Sequence, residues 1–477
     1  MKSQERGLRK VRHIILAGTA LAAMMPMAAQ AAPAKQADLE ARLKMLEQAV
    51  TSLKAELEQA RTQQAAQVAT QEQVAEKANA IETRVAAVEA RPVAEAQPQN
   101  GFRKGDTTIT IGGFIRTVGM VSHYSSGEVS GASVGRDFYV PSATPVGSAK
   151  GATYTDITAK QTRFNFGLNT KVAGHTLTGM LEADFQTSTG DDRVTNAYEP
   201  RLRLAYVKFD NLTVGQDWTT FQYLGALPES ADFLGPSEGT VFVRQALVRY
   251  SLPLSKNATL HLAAENPETD SMSVSAASGS AAITLHDTSH IPDFVARLNY
   301  KAPFGEFSIA GIGRQMRASN NATGLKATSA GWGVSAGANI PLNASKLSDF
   351  RFMVTYGQGL GRYVGVNLSP GVIVDTTTNS LSDVKLLSAM ASVKIGWTKA
   401  LRSTLMGGYA HVDYADALTL AQIGTFTKET WSAAGNLFWS PVKGFDLGVE
   451  YRHANREIVN GADGQLDRWY VAAKYSF

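Results

Sequence analysis

The sequence predicts an all-β fold: a 16-stranded antiparallel transmembrane β-barrel preceded by an N-terminal α-helical coiled coil. Three observations predict it. Residues 32–90 carry apolar side chains at a strict spacing of four and three, which is typical of coiled coils. After residue 106 the apolar spacing changes to period two, which is typical of half-exposed strands. The connections between these strands are alternately short and long, as in outer-membrane barrels.

The charge composition excludes one class of partner. The 477 residues hold 46 Lys+Arg against 42 Asp+Glu, and the sequence pI is about 9.0. Such a pI is common in nucleic-acid-binding proteins, but the whole excess lies in the first 12 residues. Because no basic run occurs elsewhere, we expect no nucleic-acid partner. The chain has 0 Cys, so disulfide frameworks, Cys-ligated metals and thiol catalysis are excluded.

Residues 1–31 are typical of a secretory signal peptide. A basic start precedes an apolar stretch over about residues 14–25, Pro26 ends that stretch, and Ala29-Gln30-Ala31 matches a cleavage site. The alternative is a signal anchor, which we disfavour because the apolar stretch is too short to span a bilayer.

Residues 32–90 form the predicted coiled coil. More than three heptads in one register indicate such a coil, and the seam positions are Leu39, Leu43, Leu46, Val50, Leu53, Leu57, Ala60, Gln64, Gln67, Gln71, Val74, Ala78, Ile81, Val85 and Val88. One amphipathic helix cannot bury its own stripe, so the segment predicts self-association. A single helix lying on another surface is the alternative. Residues 91–106, with two prolines near their start, form the predicted linker.

Sixteen stretches between residue 107 and the end of the chain have the alternating pattern or a less regular version of it. Their approximate spans are 109–123, 157–170, 175–187, 201–209, 211–217, 241–251, 258–265, 292–301, 305–317, 331–340, 349–358, 384–398, 401–412, 428–439, 444–455 and 466–477. An even number places both barrel ends on the side of the short turns, which is periplasmic. We therefore expect the barrel (107–477) in the bacterial outer membrane and the coil in the periplasm. A soluble all-β protein, the alternative, gives no reason for alternating connections.

The predicted connections support this topology. Seven short turns lie at 170–175, 209–211, 251–257, 301–305, 341–348, 398–401 and 440–444. Eight long loops lie at about 124–156, 188–200, 218–240, 266–291, 318–330, 359–383, 413–427 and 456–465. The chain ends inside a strand, at Phe477. A terminal aromatic residue resembles the assembly signal of bacterial outer-membrane proteins, so we expect the barrel-assembly machinery as a partner. Outer-membrane lipids and lipopolysaccharide would surround the barrel.

The period of two also assigns the residues that face the lumen, because the apolar face of each strand meets lipid. Arginines on the opposite face are Arg163, Arg201, Arg203, Arg297, Arg314, Arg351, Arg452 and Arg468. They are interspersed with acidic residues. Two arrangements are open: a ladder of neutralised, solvated pairs, or arginines on one wall facing carboxylates on the other. A net positive lining would favour anions.

Residues 218–240 are unusually apolar for an exposed loop. We expect this segment to fold into the pore, with Glu229 and Asp232 facing arginines across a constriction. A contact with a neighbouring subunit is the alternative. Arg244 and Arg249 follow, five residues apart, so a regular strand would place them on opposite faces.

Several short motifs resemble the DcaP-like trimeric porins of Gram-negative bacteria. They include Gly112-Gly-Phe-Ile-Arg116, Val214-Gly-Gln-Asp-Trp-Thr-Thr-Phe221, Leu227-Pro-Glu-Ser-Ala-Asp-Phe233, Val241-Phe-Val-Arg-Gln245, Glu265-Asn-Pro267 and Pro292-Asp-Phe-Val-Ala-Arg297. The resemblance implies a homotrimer whose channels pass small anionic solutes such as dicarboxylates. It also implies that Arg244, Arg297 and Arg351 are lumen arginines.

We therefore expect an outer-membrane porin, a passive diffusion channel for small hydrophilic solutes that prefers anions. The alternative is a trimeric coiled-coil adhesin, or an envelope spacer protein with a barrel anchor. We expect no enzyme activity, since no His lies in a recognisable nucleophile constellation. No cofactor and no metal site are expected either.

Overall fold

The structure is a computed structural model. It describes residues 101–104, 106–186, 195–275, 286–287, 289–321 and 324–477, with seven helical residues between 44 and 58. The predicted signal peptide, most of the predicted coiled coil and residues 91–100 of the predicted linker lie outside the described residues, so these remain predictions. No helix among the described residues is long and apolar enough to cross a membrane.

Sixteen antiparallel strands form the barrel wall, and each predicted strand is confirmed. They are β1 (Thr107–Tyr124), β2 in two pieces (Ala152–Thr158 and Arg163–Val172), β3 (His175–Asp184), β4 (Arg201–Phe209), β5 (Leu212–Trp218), β6 (Arg244–Pro253), β7 (Ala258–Glu265), β8 (Asp293–Ala302), β9 (Gly305–Asn320), β10 (Leu325–Pro341), β11 (Asp349–Gln358), β12 (Ser380–Gly396), β13 (Leu401–Tyr414), β14 (Thr427–Val442), β15 (Phe445–Ile458) and β16 (Asp463–Ser476).

The barrel closes between its first and last strands. β1 pairs with β16 from Phe114 opposite Ser476 to Tyr124 opposite Leu466. Beyond β16, Phe477 and Gly113 exchange two backbone hydrogen bonds of 3.1 and 3.3 Å. Because the closing pair lies within one chain, each chain makes a complete barrel without strands from a partner.

Alternation of side chains gives the wall one apolar and one mostly polar face. Large apolar side chains on the outer face are exposed, for example Leu405 at 64% and Val471 at 63%. On β14 the outward Trp431 and Trp439 enclose Leu437, as aromatic girdles enclose the lipid-facing band of outer-membrane barrels. The eight residue steps from Trp431 to Trp439, at about 3.3 Å each and a tilt of about 40°, give a band roughly 20 Å high, somewhat below the height of about 25 Å in known barrels.

The structure departs from two sequence expectations about connections. The predicted long loops at 318–330 and 456–465 are wrong, because β9 and β10, and likewise β15 and β16, continue until only four residues separate them. At the end of β9 and the start of β10 the inner face stays buried, with Ala318 and Leu325 packed against Val374. The outer face there carries polar side chains such as Lys326, so the apolar outer face that reveals a strand in the sequence is lost. Residues Gly101–Lys104, expected within the linker, instead pair with Thr107–Thr110 at the start of β1.

Loops fill much of the barrel interior. The largest apolar cluster joins Phe221 and Ala226, between β5 and β6, to Met353 on β11 and Tyr363 in a short 3₁₀ turn. Short strands Ser271–Val274 and Val372–Asp375 pair in parallel, and Val372–Asp375 also pairs with the start of β12. Further short elements are Val134–Asp137, Pro141–Ala143, Leu224–Ala226, Ser237–Gly239, Gly361–Tyr363, His286–Asp287 and Leu420–Ile423.

Candidate functional site

The segment between β5 and β6, residues 219–243, is named here the inner loop. It leaves the wall after Trp218 and contacts inward side chains of several strands before returning at Arg244. On β1, the Arg116 Nη2 atom donates to the carbonyl oxygens of Ser230, Ala231 and Asp232 at 3.4, 2.5 and 3.2 Å. One guanidinium thus holds three successive peptide units of the loop against the wall.

Two further arginines hold the first half of the inner loop from the opposite part of the wall. On β8, Arg297 Nη1 donates to the Gln222 carbonyl oxygen. On β11, Arg351 Nη1 donates to the Leu227 carbonyl oxygen at 2.6 Å. Both contacts position the loop, and Arg297 keeps its positive charge beside the loop because its described partner here is a neutral carbonyl group.

The two acidic residues expected at the constriction occupy different positions. Glu229 forms a two-point ion pair with Arg402 of β13, with Nε–Oε2 at 2.7 Å and Nη2–Oε1 at 2.6 Å. Asp232 instead accepts the backbone N–H of Tyr139 at 3.2 Å, and its side chain forms no ion pair with a described residue. Only Glu229 therefore faces an arginine directly.

A second loop contributes to the constriction, and sequence reasoning missed it. Residues 125–151 between β1 and β2 place Phe138 against Phe233 of the inner loop, with ring centroids 5.1 Å apart. The Ser237 hydroxyl donates to the Tyr139 carbonyl oxygen at 3.0 Å. No period marks such a loop residue as internal, so only the fold could identify Tyr139. Arg116, in contrast, shares the parity of inward Val118 and Met120 on β1, and could have been found.

Three arginines share two carboxylates on β2–β4. Arg203 contacts both acids, with Nε–Glu182 Oε1 at 2.7 Å and Nη1–Asp184 Oδ2 at 2.8 Å. Arg201 Nε lies 2.9 Å from Asp184 Oδ1, and Arg163 Nη1 lies 3.6 Å from Glu182 Oε1. A register shift between Glu182 and Ala183 in the pairing of β3 with β4 lets both Arg201 and Arg203 reach Asp184.

Arg244 joins this group without a carboxylate of its own. Its guanidinium carbon lies 4.9 Å from the ring centre of Trp218 and 5.6 Å from that of Phe242. Its side chain forms no hydrogen bond or ion pair with any described residue, and its Nη1 is buried and unpartnered. The charges of Arg163, Arg201 and Arg203 act on it. These four arginines and the two acids, here the arginine cluster, carry an excess of two positive charges.

Arg249 differs from Arg244 as the spacing required. It faces the lumen from β6 and pairs with Asp217 of β5. Arg244 instead stands at the first position of β6, where the chain arrives from the inner loop, and stacking on aromatic rings directs it toward the cluster. In the strand pairing Arg244 lies opposite Trp218, on the parity of the exposed Val248 and Tyr250, so its long side chain adjoins the cluster only through its contacts with Trp218 and Phe242.

Three of the predicted lumen arginines are inward but have no exposed surface, so they cannot contact a passing solute. Arg314 binds Asp293 and carbonyl groups of two loops, with Nε–Oδ2 at 3.3 Å. Arg452 pairs with Glu450 at 3.1 Å, and Arg468 donates to the hydroxyl of Tyr124 at 2.7 Å. Parity predicted the direction of these side chains correctly, but loops cover them, and periodicity cannot show that.

Ion pairs within the wall line much of the remaining interior. Asp349 lies between Arg351 and Lys394, with Arg351 Nε and Lys394 Nζ both 2.7 Å from its oxygens. Asp446 lies between Arg402 and Lys474 at 3.1 and 3.0 Å. The charges thus alternate within one wall rather than facing each other across the lumen. Arg351 and Lys394 share one acid, which leaves one positive charge there, whereas the arginine cluster carries an excess of two.

A cavity of about 850 Å³ opens at the long-loop end of the barrel. Half of its lining residues carry a hydroxyl group, and Tyr414, Arg456 and Asp270 are among the larger side chains. Burial raises the pKa of the Asp270 carboxyl to about 6, although the guanidinium of Arg314 opposes this. Its volume is large enough to hold a small solute.

Comparisons with known proteins agree with the fold. A sequence model of the family described as DcaP outer membrane protein matches residues 126–477. The outer membrane channel DcaP of Acinetobacter baumannii has 23% sequence identity and a TM-score of 0.65, covering 79% of this chain and 99% of that one. No curated protein sequence matches the chain.

Other porins are more distant. OmpT of Vibrio cholerae has 8% identity and a TM-score of 0.48, covering 79% of this chain and 99% of its own. An anion-selective porin from Comamonas acidovorans has 11% identity and a TM-score of 0.48, covering 78% and 100%. The family match extends over most of the chain, from the end of β1 to the last residue, and so confirms the resemblance read from the sequence motifs. The chain therefore belongs to the DcaP outer membrane protein family.

Proposed function

We propose that the protein is an outer-membrane porin, a passive diffusion channel for small hydrophilic solutes that prefers anions such as dicarboxylates. The observation that carries this proposal is the arginine cluster, with four guanidinium groups to two carboxylates and no carboxylate bound by Arg244. Fixed charge inside a low-dielectric wall concentrates counter-ions and selects among ions. Family membership supports the channel, and the cluster supports its preference.

The chemistry of the cluster suits carboxylates. A guanidinium presents N–H donors in a planar fork that matches a carboxylate at two points. Arg201 and Arg203 already donate hydrogen bonds to Asp184, whereas the side chain of Arg244 donates none to a described residue. A passing carboxylate would bind the exposed part of the half-buried Arg244 side chain without breaking an existing ion pair, which favours entry without trapping the solute.

We extend the proposal to the assembly. Three chains would associate through the predicted coil in the periplasm, each with its own pore, and Phe477 would engage the barrel-assembly machinery. In a trimeric adhesin, three chains build one barrel together. Because a single chain of this protein closes its own barrel, the adhesin alternative is less favoured. Aromatic girdles on the outer face would meet lipid and lipopolysaccharide.

The test is the reversal potential of the purified full-length protein in planar bilayers under a KCl gradient. We expect anion preference and conductance increments in groups of three. Arg244→Glu should lower the anion-to-cation permeability ratio most, with smaller losses for Arg297→Glu and Arg351→Glu. Arg103→Gln, an exposed arginine outside the lumen, is the control. Cation preference in the unaltered protein, or absence of conduction, would contradict the proposal.

A further inference from the structure

An unbroken row of aromatic rings adjoins the arginine cluster. Trp218 and Phe242 have ring centroids 4.9 Å apart, Phe242 and Phe233 5.9 Å, and Phe233 and Phe138 5.1 Å. The first three rings are only half-buried, while Phe138 is buried behind them. Three ring surfaces therefore remain reachable next to a group of cations.

Two guanidinium groups lie over these rings. Arg244 stands over Trp218 and Phe242, and Arg203 lies 5.7 Å from the centre of Trp218 and 5.8 Å from that of Phe233. Arg203 also donates hydrogen bonds to Glu182 and Asp184, so both carboxylates and aromatic rings hold its guanidinium in place. Arg244 is held by the rings alone, with free donors.

Selecting an anion by charge does not require this row. The pairs elsewhere in the lumen, such as Arg351 with Asp349, hold their arginines by carboxylates and carbonyls. The row also continues past Arg244 to Phe233, which contacts Arg203 and Phe242 but is not needed to hold Arg244. The exposed ring surface in this row therefore exceeds what contact with Arg244 requires.

We propose that this row and Arg244 form a binding site for small aromatic anions, meaning aryl carboxylates and aryl sulfonates. The anionic group would take the unused donors of Arg244, and the ring would pack against the half-buried faces of Phe233 and Phe242. Aromatic pairs and cation–π contacts add attraction beyond apolar area. An aliphatic ring of the same size and charge gains less there. As a site on the diffusion path this deepens the proposed function and rests on it.

The test compares two probes of equal charge and similar size, benzenesulfonate and cyclohexanesulfonate. Both stay ionised, so neither leaks through lipid as a neutral acid. Binding to the full-length protein in detergent is measured by calorimetry, with empty micelles subtracted. We expect benzenesulfonate to bind on the order of two- to tenfold more tightly, the range that aromatic pairing supplies.

Variants separate the two parts of the site. Phe242→Leu keeps apolar volume and should reduce the preference for benzenesulfonate toward parity. Arg244→Lys keeps the charge but loses the fork, and should weaken both probes by a similar factor. Phe209→Leu, on the outer face of β4, is the matched control and should change neither. If Phe242→Leu does not fold, Phe233→Leu takes its place.

Each outcome decides the proposal. Equal binding of the two probes, or binding of neither, overturns it, while an anionic reversal potential in KCl would still leave the proposed function standing. A preference for benzenesulfonate that Phe242→Leu and Phe233→Leu leave intact would also overturn it. Cation selectivity in KCl together with tighter binding of benzenesulfonate would instead contradict the proposed function and leave the proposed binding site standing.

Discussion

The hydroxyl of Ser230 lies within hydrogen-bonding distance of both carboxylate oxygens of Glu450, at 2.9 and 2.8 Å. The backbone N–H of Ala231 donates to the same carboxylate at 2.8 Å, and Arg452 pairs with it from the wall at 3.1 Å. A buried carboxylate on β15 thus joins the inner loop to a cation of the barrel. Hydrogen bonds from Ser230 and Ala231 to Glu450 therefore hold the inner loop on the inward face of the wall.

Ser230→Ala should loosen the inner loop. A hydrogen bond to a charged acceptor stabilises by about 1.5–3 kcal/mol. Its loss should destabilise the packing of the inner loop more than the folding of the barrel. Single-channel recordings should show greater open-channel noise, while the global unfolding midpoint changes little. Ser345→Ala, which removes an exposed hydroxyl from a short turn, is the control. Unchanged noise would mean that Arg116 and Arg351 suffice to hold the loop.

Gly113→Ala should impair closure of the barrel. Gly113 has a φ of +147°, and an added Cβ would lie 2.2 Å from the carbonyl oxygen of Arg163. A non-glycine residue in such a conformation costs on the order of 1–3 kcal/mol, and here the hydrogen bonds to Phe477 would also be strained. The urea midpoint and folding yield in detergent should fall. Gly313→Ala on β9, where a Cβ meets nothing within 4 Å, should be nearly neutral.

Asp270 should make loop packing depend on pH. Its pKa in the folded protein is about 6, against an ordinary value near 3.9, so the folded state holds this proton more tightly. The stabilisation is full below about pH 4 and is lost as the pH rises through about 6. About two units correspond to about 3 kcal/mol.

The measurement is limited proteolysis at pH 4.5 and pH 7 of the unaltered protein and Asp270→Asn. The amide cannot ionise, so the variant should lose the extra pH dependence and resist cleavage better at pH 7. Arg314, Asp293 and Arg362 also surround this position, so the difference between the two proteins isolates Asp270. Parallel pH profiles for both proteins would refute the assignment.

Deleting residues 32–95 should leave a folded barrel. Contacts divide the chain into residues 1–95 and 96–477, and every wall strand belongs to the second unit. Heat-modifiable migration on gels and conduction should persist, while crosslinking should recover fewer trimers. A barrel that cannot form without those residues would overturn the predicted separation of coil and barrel.

The sequence by itself determined the wall. Alternation with period two is a local property, so it showed the number of strands, their approximate ends and the inward direction of residues such as Arg163 and Arg468. Periodicity did not predict the strand ends within residues 318–330, because the outer face of these ends carries no apolar side chains that alternate with polar ones.

Tertiary structure alone decided which inward residues are available. Arg314 and Arg452 point inward but are covered by loops and bound to acids, whereas Arg244 is half-buried and has no acid partner among the described residues. That difference depends on where residues 125–151 and the inner loop pack, and on contacts between residues more than a hundred positions apart. Periodicity reports the direction of a side chain, whereas burial and pairing depend on what the rest of the chain places against it.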